Sequence, residues 1–151
     1  MGERIGFRIK DENNMSQIYR QQWMSDPSVV VTNTWNTLLT KKEYGHEIKT
    51  VKGKVDDGDV ALRGDLDIGR AFAALVYSNY EPPFESIRNT IQCDINDHGL
   101  ITIDITDYKN WVITQTEIDY DYEKGSSEGE TKIIGYMTER GYKEIVGYDE
   151  L

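Results

Sequence analysis

Residues 91–118 read IQCDINDHGLITIDITDYKNWVITQTEI and contain the clearest structural signal in the chain. Between Ile101 and Ile105, isoleucines alternate with polar residues, which is the period-two pattern of a strand with one buried face. Turn-forming residues lie on both sides of this run, at 96–99 and at 107–110. We therefore expect three antiparallel strands in a meander, over about 91–95, 100–106 and 111–118.

A hairpin and two helices are expected before this meander. Apolar residues alternate over 4–10, and residues 16–23 can return as a second strand after a polar turn. A helix is predicted to begin at Pro27, directly after Ser25 and Asp26, which can cap it, and to end near Thr40. A second helix is predicted over about 66–79, where apolar residues recur with helical spacing before a pair of prolines.

Four segments have weaker patterns. The locally basic stretch 41–59 is expected to be a long loop with a short strand at 48–51. Residues 84–89 are expected to add a short turn of helix. A mobile acidic loop is expected from about 121 to 130, because six acids and one base stand between Glu117 and Glu130 among several glycines and serines. Either a strand or a short helix fits residues 131–138.

These elements together indicate an α+β fold. The antiparallel sheet would end in the C-terminal meander, and both helices would cover one of its faces. A chain of 151 residues has the length of one domain, so residues 1–151 are expected to form a single domain.

The net charge of −10 is concentrated in the second part of the chain. Residues 1–93 contain 13 acids and 12 bases, whereas residues 94–151 contain 14 acids and 5 bases. Such a surface repels nucleic acid and attracts basic proteins. The alternative is that the charge only keeps the protein soluble. Charged residues occupy the N-terminus, Cys93 is the single cysteine and no apolar run is long enough to span a membrane, so we expect a cytoplasmic protein without membrane contact.

The sequence contains no recognisable catalytic set. Cys93 could act as a nucleophile with His98, but a strand cysteine on the core face is inert. Two histidines and one cysteine are too few for the usual zinc sites, and the acidic run 56–59 does not have the spacing of an EF-hand. We therefore expect no catalytic residue, no metal and no cofactor, and an activity other than that of an enzyme.

The chain opens Met-Gly-Glu-Arg and has the pair Tyr19-Arg20 in its expected early hairpin, and this opening resembles small uncharacterised proteins of phages and prokaryotes. Those proteins begin Met-Gly-x-Arg, as residues 1–4 do, and have an early hairpin with a Tyr-Arg pair, here Tyr19-Arg20. Their Gly-Tyr-Pro after this pair is replaced by residues 24–27, Met-Ser-Asp-Pro. The resemblance implies an origin in a mobile element and transfers no functional residue.

The hypothesis that follows is a non-enzymatic, acidic protein-interaction module. Its sharpest form is a phage-type inhibitor that occupies the basic, nucleic-acid-binding surface of a host protein without binding nucleic acid itself. Carboxylates along a strand or loop can imitate a row of phosphates, and tyrosines can fill a partner's pocket. The residues expected to bind the partner are Asp104, Asp119, Tyr120, Asp121, Tyr122 and Glu123.

The alternative is a small-molecule binding protein or small enzyme that uses the loop 41–59. Its basic residues would bind an anionic ligand or nucleotide. The residues concerned are Lys41, Lys42, His46, Lys49 and Arg63. A homo-oligomer formed through an exposed edge of the meander is the third hypothesis.

Overall fold

The computed structural model describes residues 4–22, 26–38, 42–43, 46–47, 68–77, 84–87 and 98–145. The elements in chain order are β1 (Arg4–Lys10), β2 (Ile18–Gln22), α1 (Pro27–Leu38), β3 (Lys42–Glu43), β4 (His46–Glu47), α2 (Ile68–Tyr77), β5 (Phe84–Ile87), β6 (Leu100–Asp104), β7 (Trp111–Asp121), β8 (Gly125–Thr138) and β9 (Gly141–Glu144). The early hairpin and both helices therefore lie where the sequence predicts them.

Seven of the described strands form one mixed sheet in the order β5-β2-β1-β6-β7-β8-β9. Neighbouring strands are antiparallel except β1 and β6, which run parallel with Phe7 opposite Ile101. The α+β class is confirmed, but the expectation of a purely antiparallel sheet is wrong. Alternation shows which side chains face the core and does not show the direction of the neighbouring strand. A parallel pair needs a long crossover, and the chain between β1 and β6 supplies it through β2, the two helices and β5.

The C-terminal part of the sheet is an antiparallel meander of β6, β7, β8 and β9. Ile103 lies opposite Ile113, so the alternating isoleucines of β6 meet apolar residues of β7. The strand expected at 91–95 lies outside the described residues. Residues 131–138, for which a strand or a helix fitted the sequence, belong to strand β8.

Two other segments differ from the expected structure. Residues 84–87 form the edge strand β5 rather than a turn of helix, because β2 offers them a pairing edge that sequence alone does not reveal. Within the expected loop 41–59, β3 and β4 form a two-stranded ladder of their own, with Lys42 opposite Glu47. The strand expected at 48–51 lies outside the described residues.

Both helices pack on one face of the sheet, as predicted. Trp35 of α1 meets Trp111 of β7 edge-to-face, with ring centroids 4.7 Å apart and an interplanar angle of 64°. Such a pair contributes about 0.5–1.5 kcal/mol beyond the burial of its area. The buried core on this face consists of Ile5, Phe7, Ile9, Tyr19, Val30, Val31, Trp35, Leu38, Ala71, Ala74, Leu75, Ile101, Ile103, Ile105, Trp111, Ile113, Ile134 and Met137.

The sheet curls so that the β7–β8 hairpin approaches its outer face, the face away from the helices. Arg8 Nε donates a hydrogen bond to Thr102 Oγ1 at 3.0 Å, and an Arg8 guanidinium nitrogen lies 3.9 Å from Glu128 Oε1. The strand register places Arg8 beside Thr102, then Thr114, then Ile133, so Glu128 is three strands away and five residues further along β8. In a flat sheet the two residues would be about 20 Å apart. Two register shifts of β8 against β7 accompany this curvature, since bulges bend a strand and increase its twist.

Candidate functional site

The far end of the β7–β8 hairpin is a tight turn. Asp121 Oδ1 accepts hydrogen bonds from the backbone N–H groups of Glu123, at 2.7 Å, and Lys124, at 3.2 Å. This side-chain turn satisfies two backbone donors and lets Asp121 pair with Gly125 as the last rung of the ladder. The expectation of a mobile acidic loop over 121–130 is therefore wrong. The Gly- and Ser-rich sequence lacks strand alternation, and its pairing with β7 overrides that weak propensity.

Five residues at this turn form what we call the acidic tip: Asp119, Tyr120, Asp121, Tyr122 and Glu123. All three carboxylate residues are exposed, and Tyr122 is 90% exposed. The rings of Tyr120 and Tyr122 meet edge-to-face, with centroids 5.5 Å apart and an interplanar angle of 79°. The tip thus presents an aromatic pair among negative charges at the turn of the β7–β8 hairpin.

The charges of the acidic tip are not neutralised locally. In the part of the chain that the structure describes, none of its three carboxylates forms an ion pair. Along β7, the exposed residues Glu117, Asp119 and Asp121 occupy every second position and therefore share one face. In an extended strand the Cα atoms of successive members of this row are about 6.8 Å apart. The sequence did not predict that Glu117 belongs to this surface. The predicted strand ended at about residue 118, whereas β7 continues to Asp121 and thereby places Glu117 on the same face as Asp119 and Asp121.

Asp104 lies apart from the acidic tip, although the sequence grouped them together. It pairs with Val112 at the start of β7, seven residues or about 23 Å along that strand from Asp119. Its carboxylate accepts a hydrogen bond from Thr106 N at 2.9 Å and lies 3.9 Å from Lys10 Nζ. Asp104 thus serves a local turn and a surface ion pair.

The residues of the alternative, basic site are described only in part. Lys42 and His46 lie on the β3–β4 ladder, where Lys42 is opposite Glu47 and Glu43 is opposite His46. The other three residues, Lys41, Lys49 and Arg63, lie outside the described residues.

A cavity of about 160 Å³ lies where the start of α1 meets the sheet. Elements far apart in sequence contribute to it, and most of its lining is polar. The lining residues are Ile5, Asp26, Pro27, Ser28, His98, Gln115, Ile134, Tyr142 and Glu144.

Hydrogen bonds hold the polar side chains of this cavity in place. Gln115 Nε2 donates to the carbonyl of His98 at 2.8 Å. The Asp26 carboxylate Oδ1 accepts from both Ser28 N, at 3.0 Å, and Ser28 Oγ, at 2.6 Å, which caps the first turn of α1. Tyr142 Oη donates to the Ile134 carbonyl at 3.5 Å, with its ring over Gly135, where a Cβ atom would come within 2.5 Å of Tyr142 Cζ.

The sequence gives little indication of this cavity. From the sequence alone, His98 is explained as a turn residue and Asp26 as a helix cap. Only the parallel pairing of β1 with β6 and the position of β9 at the end of the meander bring these residues next to Tyr142 and Glu144. A long-range signal would be needed to find such a site, since no local motif encodes it.

Among the residues that the structure describes, no three His, Cys, Asp or Glu side chains come close enough to hold a metal ion. None of the described helices has the length and apolar character required to cross a bilayer. Comparisons of the chain with protein-family models, with curated proteins and with solved structures found no match. The geometry of the acidic tip and of the cavity is therefore the basis for assigning a function.

Proposed function

We propose that this protein is a non-enzymatic interaction module whose acidic tip binds a basic surface on another protein. In the sharpest form of the proposal it is a phage-type inhibitor, and the surface that it occupies is one with which a host protein binds nucleic acid. The observation that carries the proposal is the aromatic pair of Tyr120 and Tyr122, presented among three carboxylates that form no ion pair in the described part of the chain.

The two kinds of side chain at the tip would contribute differently to binding. An exposed ion pair is worth only about 0.2–1 kcal/mol, and charges at the rim of an interface act mainly on the association rate and on specificity. A tyrosine that becomes fully buried in a partner's pocket can contribute about 2 kcal/mol or more. Tyr122, which is 90% exposed, therefore has the larger area to lose to a partner and is proposed as the anchor.

The row of Glu117, Asp119 and Asp121 supports the inhibitor form of the proposal. A strand holds its alternate side chains at a fixed spacing on one face, so this row presents regularly spaced negative charges. Surfaces that bind nucleic acid recognise a repeating line of negative charge through lysine and arginine. A carboxylate row along a strand can occupy such a surface without offering base edges or sugars. The resemblance of the opening hairpin to small phage proteins is consistent with this role.

Affinity capture from a bacterial lysate tests the proposal. The immobilised protein is exposed to lysate at about 0.1 M salt and washed at about 1 M, where the screening length falls from about 10 Å to about 3 Å. The bound proteins are identified by mass spectrometry. We expect one dominant basic protein that salt releases and that the variant Tyr122→Ala retains poorly. A partner that resists salt and binds Tyr122→Ala equally well would contradict the proposed role of the tip.

The inhibitor form makes a separate prediction about the captured partner. If the partner binds nucleic acid, titrated protein should displace a fluorescent oligonucleotide from it with the same dependence on Tyr122. A ternary complex that contains all three components would show that the tip binds elsewhere on the partner and would exclude this form.

The alternative of an anionic small-molecule ligand rests on the basic residues around Lys42 and His46. The β3–β4 ladder brings the backbones of these segments together, and this is the observation that favours keeping the alternative. A thermal-shift screen of nucleotides and sugar phosphates tests it, because a ligand at one hundred times its Kd stabilises the folded state by about 2.7 kcal/mol. A hit that is lost in Lys42→Gln would favour the alternative, and the absence of any stabilising compound would remove its simple form.

A further inference from the structure

We infer that a groove at the β8–β9 end of the sheet binds a small aromatic phosphate monoester, such as a nucleoside monophosphate. The groove has a volume of about 450 Å³, within the roughly 300–1,000 Å³ of pockets that hold small organic ligands. The inference does not depend on the proposed function, because the lining contains no residue of the acidic tip. The lining residues are Asn110, Tyr136, Thr138, Arg140, Gly141, Tyr142 and Lys143.

The pairing of the last two strands forms this groove. Tyr136 of β8 lies opposite Lys143 of β9, and Thr138 lies opposite Gly141 two pairs further along the ladder. Since alternate residues of a strand share a face, these four residues lie on the same face of the hairpin. Arg140 follows in the turn, where its backbone N–H donates a hydrogen bond to Thr138 Oγ1 at 3.1 Å. A Cβ atom at Gly141 would meet nothing within 4 Å, so the space over this glycine is open.

Charge is the first argument for an anion. Among the described residues, two cations and no acid line the groove: Arg140 and Lys143 are both exposed, and neither forms an ion pair with another described residue. The neighbouring acids Glu139 and Glu144 lie outside the lining, and Glu144 lines the cavity beside α1 instead. Residues 94–151 contain only five bases, so two of the five meet at this one groove. Two positive charges match a phosphate monoester, which carries about −1.5 to −2 at pH 7.

The acidic tip lies too far from the groove to cancel these charges. Strand β7 runs from Trp111, the neighbour of the lining residue Asn110, to Asp121 of the tip. These ten steps correspond to about 34 Å along an extended strand. The screening length at physiological ionic strength is only about 8 Å, so the field in the groove is dominated by its own arginine and lysine.

Tyr136 is the argument for an aromatic ligand. Its side chain is half-buried in the groove, and in the described part of the chain its ring contacts no other aromatic ring and no cation. Bases stack on such rings with little preference among them. The Arg140 guanidinium can hold a phosphate through paired hydrogen bonds, and Lys143 adds a compact charge. A ligand with both a ring and a phosphate therefore uses more of this lining than either group alone.

A titration with three related compounds tests the inference. AMP is added to the ¹⁵N-labelled protein at about 0.1 M salt and about pH 7, and is compared with adenosine, which lacks the phosphate, and with ribose 5-phosphate, which lacks the base. We expect saturable chemical-shift changes at the backbone amides of Arg140, Gly141 and Lys143 and at the Asn110 side-chain amide. AMP should bind at least about fivefold more tightly than either fragment. No saturable change with AMP, or a fragment that binds as tightly as AMP, would overturn the inference.

Matched variants locate the ligand. We expect Tyr136→Leu to weaken AMP binding about fivefold or more, the effect of losing one stacked base, and Tyr136→Phe to preserve it. Arg140→Gln and Lys143→Gln should each weaken AMP binding about two- to fivefold, and both positions are exposed, so these variants test the site even if Tyr136→Leu does not fold. Lys124→Gln, exposed at the β7–β8 turn, removes the same charge and should have no effect. Equal weakening by Lys124→Gln, or equal AMP affinities of folded Tyr136→Leu and Tyr136→Phe, would refute the groove as the site.

The same titration separates this groove from the other two candidate sites. AMP binding that is lost in Lys42→Gln and kept in Lys143→Gln would place the ligand at the β3–β4 ladder and would refute the groove. Tyr122→Ala should weaken capture of the partner and leave AMP binding unchanged. If AMP binding fell in Tyr122→Ala, the ligand would lie at the acidic tip and the groove would again be refuted. If AMP fails to bind while Tyr122→Ala still weakens the partner, only the groove is wrong and the proposed role of the tip stands.

Discussion

Replacing Gly99 by alanine should destabilise this protein more than the same change at Gly129 or Gly141. Gly99 precedes β6 and has a φ of 73°, in the left-handed region that other residues adopt at a cost of about 1–3 kcal/mol. A Cβ atom there would also lie 2.3 Å from the backbone carbonyl oxygen of Thr116, which cannot rotate away as a side chain can. Overpacking of this kind adds about 1–3 kcal/mol. Gly99→Ala should therefore cost about 2–6 kcal/mol, a large part of the roughly 5–15 kcal/mol that stabilises a domain.

Two other glycines provide matched controls. Gly141 has a φ of 109°, but a Cβ atom there would meet nothing within 4 Å, so Gly141→Ala should show the backbone cost alone, about 1–3 kcal/mol. A Cβ atom at Gly129 would lie 3.2 Å from both Cβ and Oε2 of the exposed Glu117, and only Oε2 can rotate away. Because the backbone needs to shift by only a few tenths of an ångström, Gly129→Ala should change the free energy of unfolding by at most about 1 kcal/mol.

Urea unfolding followed by tryptophan fluorescence measures this series. Trp35 and Trp111 are both buried and in contact, so their emission should change when the helix separates from the sheet. The midpoint should fall in the order Gly129→Ala, Gly141→Ala, Gly99→Ala, with an unchanged slope. Gly99 O also accepts a hydrogen bond from Gly6 N at 3.0 Å, beside the parallel β1–β6 pair. If Gly99→Ala lowered the free energy of unfolding no more than Gly141→Ala, the close approach of Gly99 to Thr116 of β7 would be refuted. The support that this approach gives to the position of Gly99 beside the β1–β6 pair would then be lost as well.

Three further outcomes are expected. Burial raises the pKa of the Tyr19 hydroxyl well above its usual 10, so the contribution of this group to the free energy of unfolding is complete below pH 10 and falls as the pH rises above that value. Tyr19→Phe should therefore flatten the alkaline part of the curve of stability against pH. An unchanged slope of that curve would contradict the burial of this hydroxyl. A double-mutant cycle of Arg8→Ala and Glu128→Ala should give a coupling energy of about 0.2–1 kcal/mol in urea unfolding, and a coupling of zero would count against the curling of the hairpin over the outer face. The edge strand β9 has only four residues and exposes Lys143 and Glu144, and both features discourage pairing between copies of the chain. Light scattering should therefore give the mass of a monomer. A stable dimer would instead support assembly through the sheet edge.

The sequence predicted the elements whose signals are local. Pro27 lies behind a capping Asp26, and Ile101, Ile103 and Ile105 alternate with polar residues, so helix α1 and strand β6 were found close to their observed bounds. Strand partners could not be found in the same way. Nothing in the pattern of Phe7 and Ile101 states that their strands run parallel, because that depends on the path of the chain between them.

For the acidic tip, too, the sequence predicted the local composition but not the strand pairing. The composition of residues 119–123 predicted a negative, tyrosine-rich surface, and the structure presents these residues together. The ladder from Gly125 onward was missed because Gly and Ser are poor strand formers, and only pairing with β7 makes them a strand. Asp104 was grouped with the tip by charge alone, and its pairing with Val112 places it elsewhere.

A comparison of two variants of equal net charge tests the role of the acidic tip most directly. The tip variant carries Asp119→Asn, Asp121→Asn and Glu123→Gln, and the side-chain amide introduced at position 121 retains an oxygen that can accept the hydrogen bonds of the turn. The control carries Glu12→Gln, Asp107→Asn and Glu139→Gln, all exposed residues outside the tip. Affinity for the purified partner at about 0.1 M salt should fall about 3- to 150-fold in the tip variant, the effect of three exposed ion pairs, and should change little in the control. Equal affinities of the two variants would show that only net charge matters and would contradict a binding site at the acidic tip.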